Sequence, residues 1–257
     1  WFDAKNIDGN NNVSLSNGDA ISVWKDISGN DYHSIQNTTS KQPSYDADGL
    51  SSMPTVVIGA QDILIANNVR LSSMVTVFVV AEINSAGYLI EHGNNTSTYD
   101  GFYLSSSSQP YQFNRRGDIT ANPGDNWNWN GKVMTLRNDG TNINYYDNGA
   151  LVNSANLIFN YPAQIVASLH IGARSGNISQ SQGDYSEILI FDRALSDAEI
   201  VNVHRYLAEK WSLESVVDSD SDGIVDSEDS NPLTDDSIDF SDTVDAEIVA
   251  ESGLDSI

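Results

Sequence analysis

The chain is 257 residues long, enough for one large β domain or two smaller ones, and carries 36 acids against 12 bases for a formal charge of −24. That balance excludes the basic footprint needed for nucleic acid and opposes anionic membrane surfaces, while it suits hard cations, neutral glycans and a salty exterior. Cysteine is absent, so disulfides contribute nothing, although bacterial surface proteins often use calcium in their place.

The longest apolar run, MVTVFVVA at 74–81, is far too short to span a membrane, and no membrane insertion is expected. The chain opens on WFDA without an initiator Met or a signal peptide, as expected of a processed or excised piece of a longer protein. Charge then divides it. Residues 1–214 hold 22 acids and all 12 bases, whereas residues 215–257 hold the other 14 of the 36 acids and no base. A compositional break of this kind predicts a boundary near Leu213 to Val217.

In chain order, the first part reads as β structure. Near the start, Asp26, Ser28, Gly29 and Asn30 in VWKDISGND predict a turn, with Trp24 anchoring the preceding strand in the core. The alternative is that Asp26 or Asp3 helps to hold a calcium ion within the β domain. PTVVIG, MVTVFVVAEI, GYLIEHG, GFYLS, PYQFN, KVMTLRND and IVASLHIGA are short strand-like runs separated by Gly, Asn, Ser and Pro clusters. MVTVFVVAEI is apolar on both faces, which predicts a central strand covered on each side. NINYYDNGALV predicts a hairpin, because Asn148-Gly149 can supply positive φ at both turn positions. Ten or more strands without interleaved helices predict an all-β fold, a two-sheet antiparallel sandwich.

One helix is predicted at LSDAEIVNVHRYLAEKW. Ser196 caps it, Glu199 completes a capping box, and Ile200, Val203, Leu207 and Trp211 form its apolar face beside His204.

Two blocks carry a family resemblance. The opening WFDAKNIDG…VWKDISGNDYHSIQ…QPSYDADGLSSMPTVVIGAQDIL and the closing GDYSEILIFDRALSDAEIVNVHRYLAEKWSL resemble the two ends of bacterial laminin-G-like domains of the concanavalin A-like lectin/glucanase superfamily. The segment from Ser85 to Gln164 matches only in general character, and the disulfide that animal members often carry near the end is impossible here. The resemblance implies a jelly roll over residues 1–213, used for glycan binding, adhesion or architecture, with a glycan or cell-surface polysaccharide as partner and an extracellular, secreted or cell-surface location. Function itself must be argued from a site.

Three stretches bear on that site. The superfamily's laminarinase-type hydrolases place acids at alternate positions of one strand, aimed into one cleft. In SEILIFD, Glu187 shares its face with Leu189 and Phe191 while Asp192 points the other way. A lone carboxylate lacks an acid/base partner, so no enzyme is expected. His33, His92, His170 and His204 show no metal-ligand spacing, and GARSG is not a nucleophile elbow.

NPGDNWNWNGK sets Trp127 and Trp129 two apart among amides. If that stretch is extended, the indoles offer a stacking surface for sugar, with Asn128 as a hydrogen-bonding neighbour. Arg115, next to Arg116, could contact an acidic glycan or equally serve as a solubilising charge. Both rings could instead pack beneath a loop.

DSDSDGIVDSEDSNP places Asp218, Asp220 and Asp222 at positions 1, 3 and 5 of an EF-hand-type loop. Gly223 falls at 6, the Ile224 carbonyl at 7, Asp226 at 9 and Asp229 at 12. A solvated tail has no reason to keep that register, which predicts a bound Ca2+. The stretch resembles a thrombospondin type 3 calcium repeat, D-x-D-x-D-G-x-x-D-x-x-D. It departs from such repeats, which usually come in tandem, in being a single copy, and from an EF-hand loop in having Asp rather than the longer bidentate Glu at position 12. The organisation expected is therefore a sandwich at 1–213, a calcium loop at 214–232, and an acidic linker or tail at 233–257 through which copies of the chain could join.

Overall fold

The computed structural model describes residues 1–85, 87–93, 100–105, 111–115, 118–119, 132–156, 164–176 and 179–233. Short strands come first: β1 (Phe2–Asp3), β2 (Val23–Trp24), β3 (Ser34–Ile35), β4 (Ser44–Asp46) and β5 (Thr55–Ile58). Longer ones follow, namely β6 (Leu64–Ser72), β7 (Val75–Ser85), β8 (Tyr88–Gly93), β9 (Asp100–Ser105), β10 (Tyr111–Arg115) and β11 (Asp118–Ile119). The last are β12 (Val133–Asn138), β13 (Asn142–Asp147), β14 (Ala150–Asn156), β15 (Gln164–Ile171) and β16 (Gln182–Phe191), before the helix α1 (Asp197–Trp211).

The strands form two antiparallel sheets in a jelly-roll sandwich, as the sequence predicts. One runs β14-β13-β12-β7-β16-β5-β4, with β1 paired to β16; the other runs β11-β10-β9-β8-β15-β6-β3-β2. Central β7 is flanked by β12 and β16. Its residues Val75 to Ala81 are all buried, because one face meets the opposite sheet and the other meets α1. That accounts for a strand apolar on both faces.

Local signals hold where they were strongest. Ser196 accepts from the Glu199 amide and Glu199 returns the bond, closing the capping box. Asn148 (φ 47°) and Gly149 (φ 89°) make the β13–β14 turn with positive φ at both positions. Ile200, Val203, Leu207 and Trp211 are buried against the first sheet. His204 joins them rather than facing water. Its ring is edge-on to Phe78 at 5.4 Å, and its Nε2 lies 2.8 Å from the Thr135 hydroxyl. Burial drives its pKa down to about 3, so the ring is neutral at physiological pH.

The Asp26 turn is real and is closed by protein donors. Oδ1 accepts from the Ser28 amide at 2.9 Å and Oδ2 from the Tyr32 amide at 3.0 Å. Trp24 is fully buried.

Trp211 tests whether α1 belongs to the core. Truncating a buried aromatic costs about 3–5 kcal/mol, so Trp211→Ala is expected to lower Tm by about 10 °C in calorimetry. A shift of a degree or two would detach the helix from the core.

Candidate metal site

The acidic loop is built onto the sandwich rather than hung from it. Ser212 (φ 54°) ends α1 in the left-handed conformation, and the Leu213 amide bonds back to the Ala208 carbonyl at 2.8 Å. Leu213 and Val217 then enter the core. The Asp218 amide donates to the Asn148 carbonyl at 2.9 Å, and the Ser221 hydroxyl to the Gly149 carbonyl at 2.8 Å. A Cβ at Gly149 would stand 1.9 Å from the Asp218 carbonyl oxygen. The same glycine that permits the hairpin turn therefore permits the docking.

Within the loop the acids are preorganised. Asp218 accepts from the Gly223 amide at 2.9 Å and the Asp222 amide at 3.2 Å; Asp222 accepts from the Ile224 amide at 2.8 Å. Gly223 (φ 97°) sits at the turn position where the register predicts a residue of positive φ. One oxygen from each of Asp218, Asp220 and Asp222 lies within 4.8 Å of the others, a grouping that could hold a metal ion. Burial raises the Asp220 pKa, and the charges of Asp222, Asp229 and Asp218 raise it further. Asp229 Oδ2 is buried and has no hydrogen-bond partner among the described residues. Unpartnered carboxylate oxygen beside three converging acids fits a hard cation.

The other predicted residues divide. Asp226 spends both oxygens on Ser219, from the amide at 2.8 Å and the hydroxyl at 2.7 Å, so it clasps the loop shut. Trp127, Asn128 and Trp129 lie outside the described residues. Arg115 ends β10 opposite Asp100 and Asp118, and its side chain lies outside the description.

Glu187 is not the lone acid expected. Asp3 sits directly across from it on β1, a pairing with a segment 184 positions away that the β16 pattern could not reveal. Lys210 Nζ lies 2.8 Å from Asp3 Oδ2 and 2.9 Å from the Glu187 carboxylate. The indoles of Trp1 and Trp211 donate to Glu187 at 2.7 and 2.5 Å. Burial pulls the Lys210 pKa down, yet Glu187 and Asp3 lift it above the ordinary lysine value.

A second buried acid escaped the sequence reading. Glu91 on β8 accepts from the Ser175 amide at 2.5 Å and from Arg174 Nε at 3.3 Å, with His170 Nδ1 3.9 Å away. Burial raises its pKa. The one available signal was a polar Glu-His pair inside the otherwise apolar strand GYLIEHG.

The model of the concanavalin A-like lectin/glucanases superfamily, in its laminin-G form, matches residues 66–201. The chain belongs to this superfamily. No curated protein matches it. Among solved structures, it resembles an arabinofuranosidase in complex with arabinofuranosyl-α-1,2-xylobiose, with 14% identity and a TM-score of 0.53. A family 54 α-L-arabinofuranosidase soaked with 4-nitrophenyl α-L-arabinofuranoside matches at 13% identity and 0.52. The binding domain of a paraclostridial mosquitocidal protein matches at 16% and 0.50. Each alignment covers 77% of this superfamily member and 51% of the other chain, so it spans about half the length of these relatives.

These likenesses are of fold, and they correct the expectation that the chain is no enzyme. The same sandwich occurs in chains of glycoside hydrolases, and the lone acid on which that expectation rested has Asp3 beside it.

The hairpin that receives the loop carries its own liability. Asp147, just before the turn, has a buried Oδ1 without a partner among the described residues, and burial pushes its pKa up to about 6 from 3.8. The folded protein thus holds this proton more tightly than the unfolded chain. The stabilisation is complete below pH 3.8 and is lost as pH rises through about 6. At pH 7.5, Asp147→Asn is expected to raise unfolding stability by about 2 kcal/mol, with almost no gain at pH 4. Denaturant titrations at the two pH values measure the difference.

Proposed function

We propose that the chain is a glycan-binding module of an extracellular or cell-surface protein, and that its thrombospondin type 3-like loop holds one calcium ion. The observation that carries the calcium reading is the convergence of Asp218, Asp220 and Asp222 beside the unpartnered Oδ2 of Asp229. Those four acids and the Ile224 carbonyl would supply the ligands, with Asp226 at the position that EF-hand-type loops often fill through water. A bound cation would neutralise acids whose mutual repulsion already raises the Asp220 pKa. An all-oxygen donor set, with no nitrogen or sulfur, favours calcium over transition metals.

Calcium would act here as a clamp. The loop bonds to the β13–β14 turn and follows directly from α1, so metal would stiffen one end of the sandwich. Near-millimolar extracellular calcium suits the modest affinity of such modules. The glycan reading is supported by superfamily membership and by fold neighbours that act on or carry sugars. The sequence offers Trp127 and Trp129, with Asn128 and Arg115, as one surface for it.

Calcium at a hundredfold excess over Kd is expected to add about 2.7 kcal/mol of stability, seen as a rise in Tm that chelator reverses. Calorimetry should show one site in the wild type and none in Asp220→Ala; equal uptake by both would sink the assignment. On a glycan array with calcium present, Trp127→Ala/Trp129→Ala is expected to weaken binding by roughly thirtyfold, at about 1 kcal/mol per ring. Unchanged binding by the folded double variant would move the contact elsewhere.

A further inference from the structure

A cavity of about 280 Å³ opens between the two sheets at the end of the sandwich where the Asp26 turn lies. Its inner wall is apolar, formed by Val69, Leu71, Leu169 and Ile190, with the rings of Trp1 and Tyr32 beside them. Its rim is polar and carries Asn30, Arg70 and Asp192, the last two coming from different sheets. A hollow with an apolar floor and polar groups converging at its mouth can take a ligand that has both apolar and polar faces.

Asp26, Asn30 and Asp192 are each fixed by hydrogen bonds. Asp26 closes its turn through the Ser28 and Tyr32 amides, and the Ile27 amide bonds to the Trp1 carbonyl at 2.9 Å. Asn30 Nδ2 is held by the Ser28 hydroxyl at 3.0 Å. Asp192 accepts from the Ser72 amide through Oδ1. The Arg70 side chain makes no hydrogen bond or ion pair among the described residues, although its backbone belongs to the β6–β15 ladder. A guanidinium donor and a carboxylate acceptor at one mouth match vicinal hydroxyls, which both accept and donate. Tyr32 and Trp1 offer ring surface for the less polar face of a sugar.

Size limits the ligand. At about 280 Å³ the cavity is at the small end of the range for ligand sites, a size that suits one sugar ring. We infer that this cavity recognises a single terminal sugar residue of a neutral glycan, its vicinal hydroxyls held between Arg70 and Asp192. The inference rests on the glycan reading above and deepens it: the module would grip chain ends rather than chain interiors, at a site separate in sequence from Trp127 and Trp129.

The test is an NMR titration of the full ¹⁵N-labelled chain with calcium present. The probes are L-arabinose, D-xylose, D-galactose, D-glucose and N-acetyl-D-glucosamine, each as monosaccharide and trisaccharide. At least one monosaccharide is expected to bind, moving the amides of residues 26–32 and 70–72, with its trisaccharide no more than about threefold tighter. Arg70→Ala, an exposed change that should leave Tm unaltered, is expected to weaken that binding at least tenfold. Asp192→Asn should weaken it too, and Trp127→Ala/Trp129→Ala should not. Binding that survives Arg70→Ala, or shifts confined to other regions, would overturn the cavity while leaving the glycan reading intact. If none of the panel binds, the cavity assignment fails. A glycan array that is also blank would then bring down the broader reading with it.

Discussion

The buried ion pair between Glu187 and Lys210 is the contact on which the architecture turns. Glu187 lies near the middle of β16, the strand that pairs with β7, β5 and β1. Lys210 is in the last turn of α1. Asp3 and the indoles of Trp1 and Trp211 converge on the same pair, so the first strand, the last long strand and the helix meet at one charged point. Burying two ions is costly unless each is paired and further hydrogen-bonded. Here two indole donors and a second carboxylate meet that condition. An apolar contact would hold the helix with less preference for one register; this network fixes where α1 ends, and with it where the acidic loop begins.

The acidic loop inherits its position from that anchor and from the β13–β14 hairpin. Leu213 and Val217 are core residues, so the compositional break does not coincide with the end of packing: charge changes at about residue 215, while the core continues past it. The loop then docks its backbone on the turn that follows the desolvated Asp147. Negative charge concentrated at one end of the molecule is tolerable where backbone amides point into the carboxylates, as those of Gly223, Asp222 and Ile224 do. Those bonds shape the loop, and the oxygen they leave over at Asp229 is where an outside cation would have most effect.

The sandwich thereby has differentiated parts. The outer face of the first sheet is closed by α1 and serves stability. The loop-bearing end, near the hairpin, is anionic. The end near the Asp26 turn keeps a hollow with both charges on its rim. In the other sheet, Glu91, Arg174, Ser175 and His170 form a compact polar knot across β8, β15 and the turn that follows. Shared fold with hydrolases and with a toxin binding domain does not choose among these places, because function resides in side chains rather than in the sandwich.

Whatever depends on neighbours a few residues away was legible in the sequence. The two-faced apolar run predicted central β7, the Ser196–Glu199 spacing predicted the capping box, and Asn148-Gly149 predicted the turn. The alternating acids with Gly223 predicted a loop whose carboxylates converge. Each is set by backbone sterics and short-range hydrogen bonds that the local sequence encodes directly. Tertiary structure decided what depends on distant segments meeting. Glu187 looked alone because Asp3 is 184 positions away, and whether His204 packs or faces water was open because Phe78, Thr135 and Tyr146 come from three other strands. Arg70 and Asp192 face one cavity only because two different sheets end side by side. Side-chain periodicity tells which face a residue occupies. Which partner waits on that face is fixed only when the sheets close.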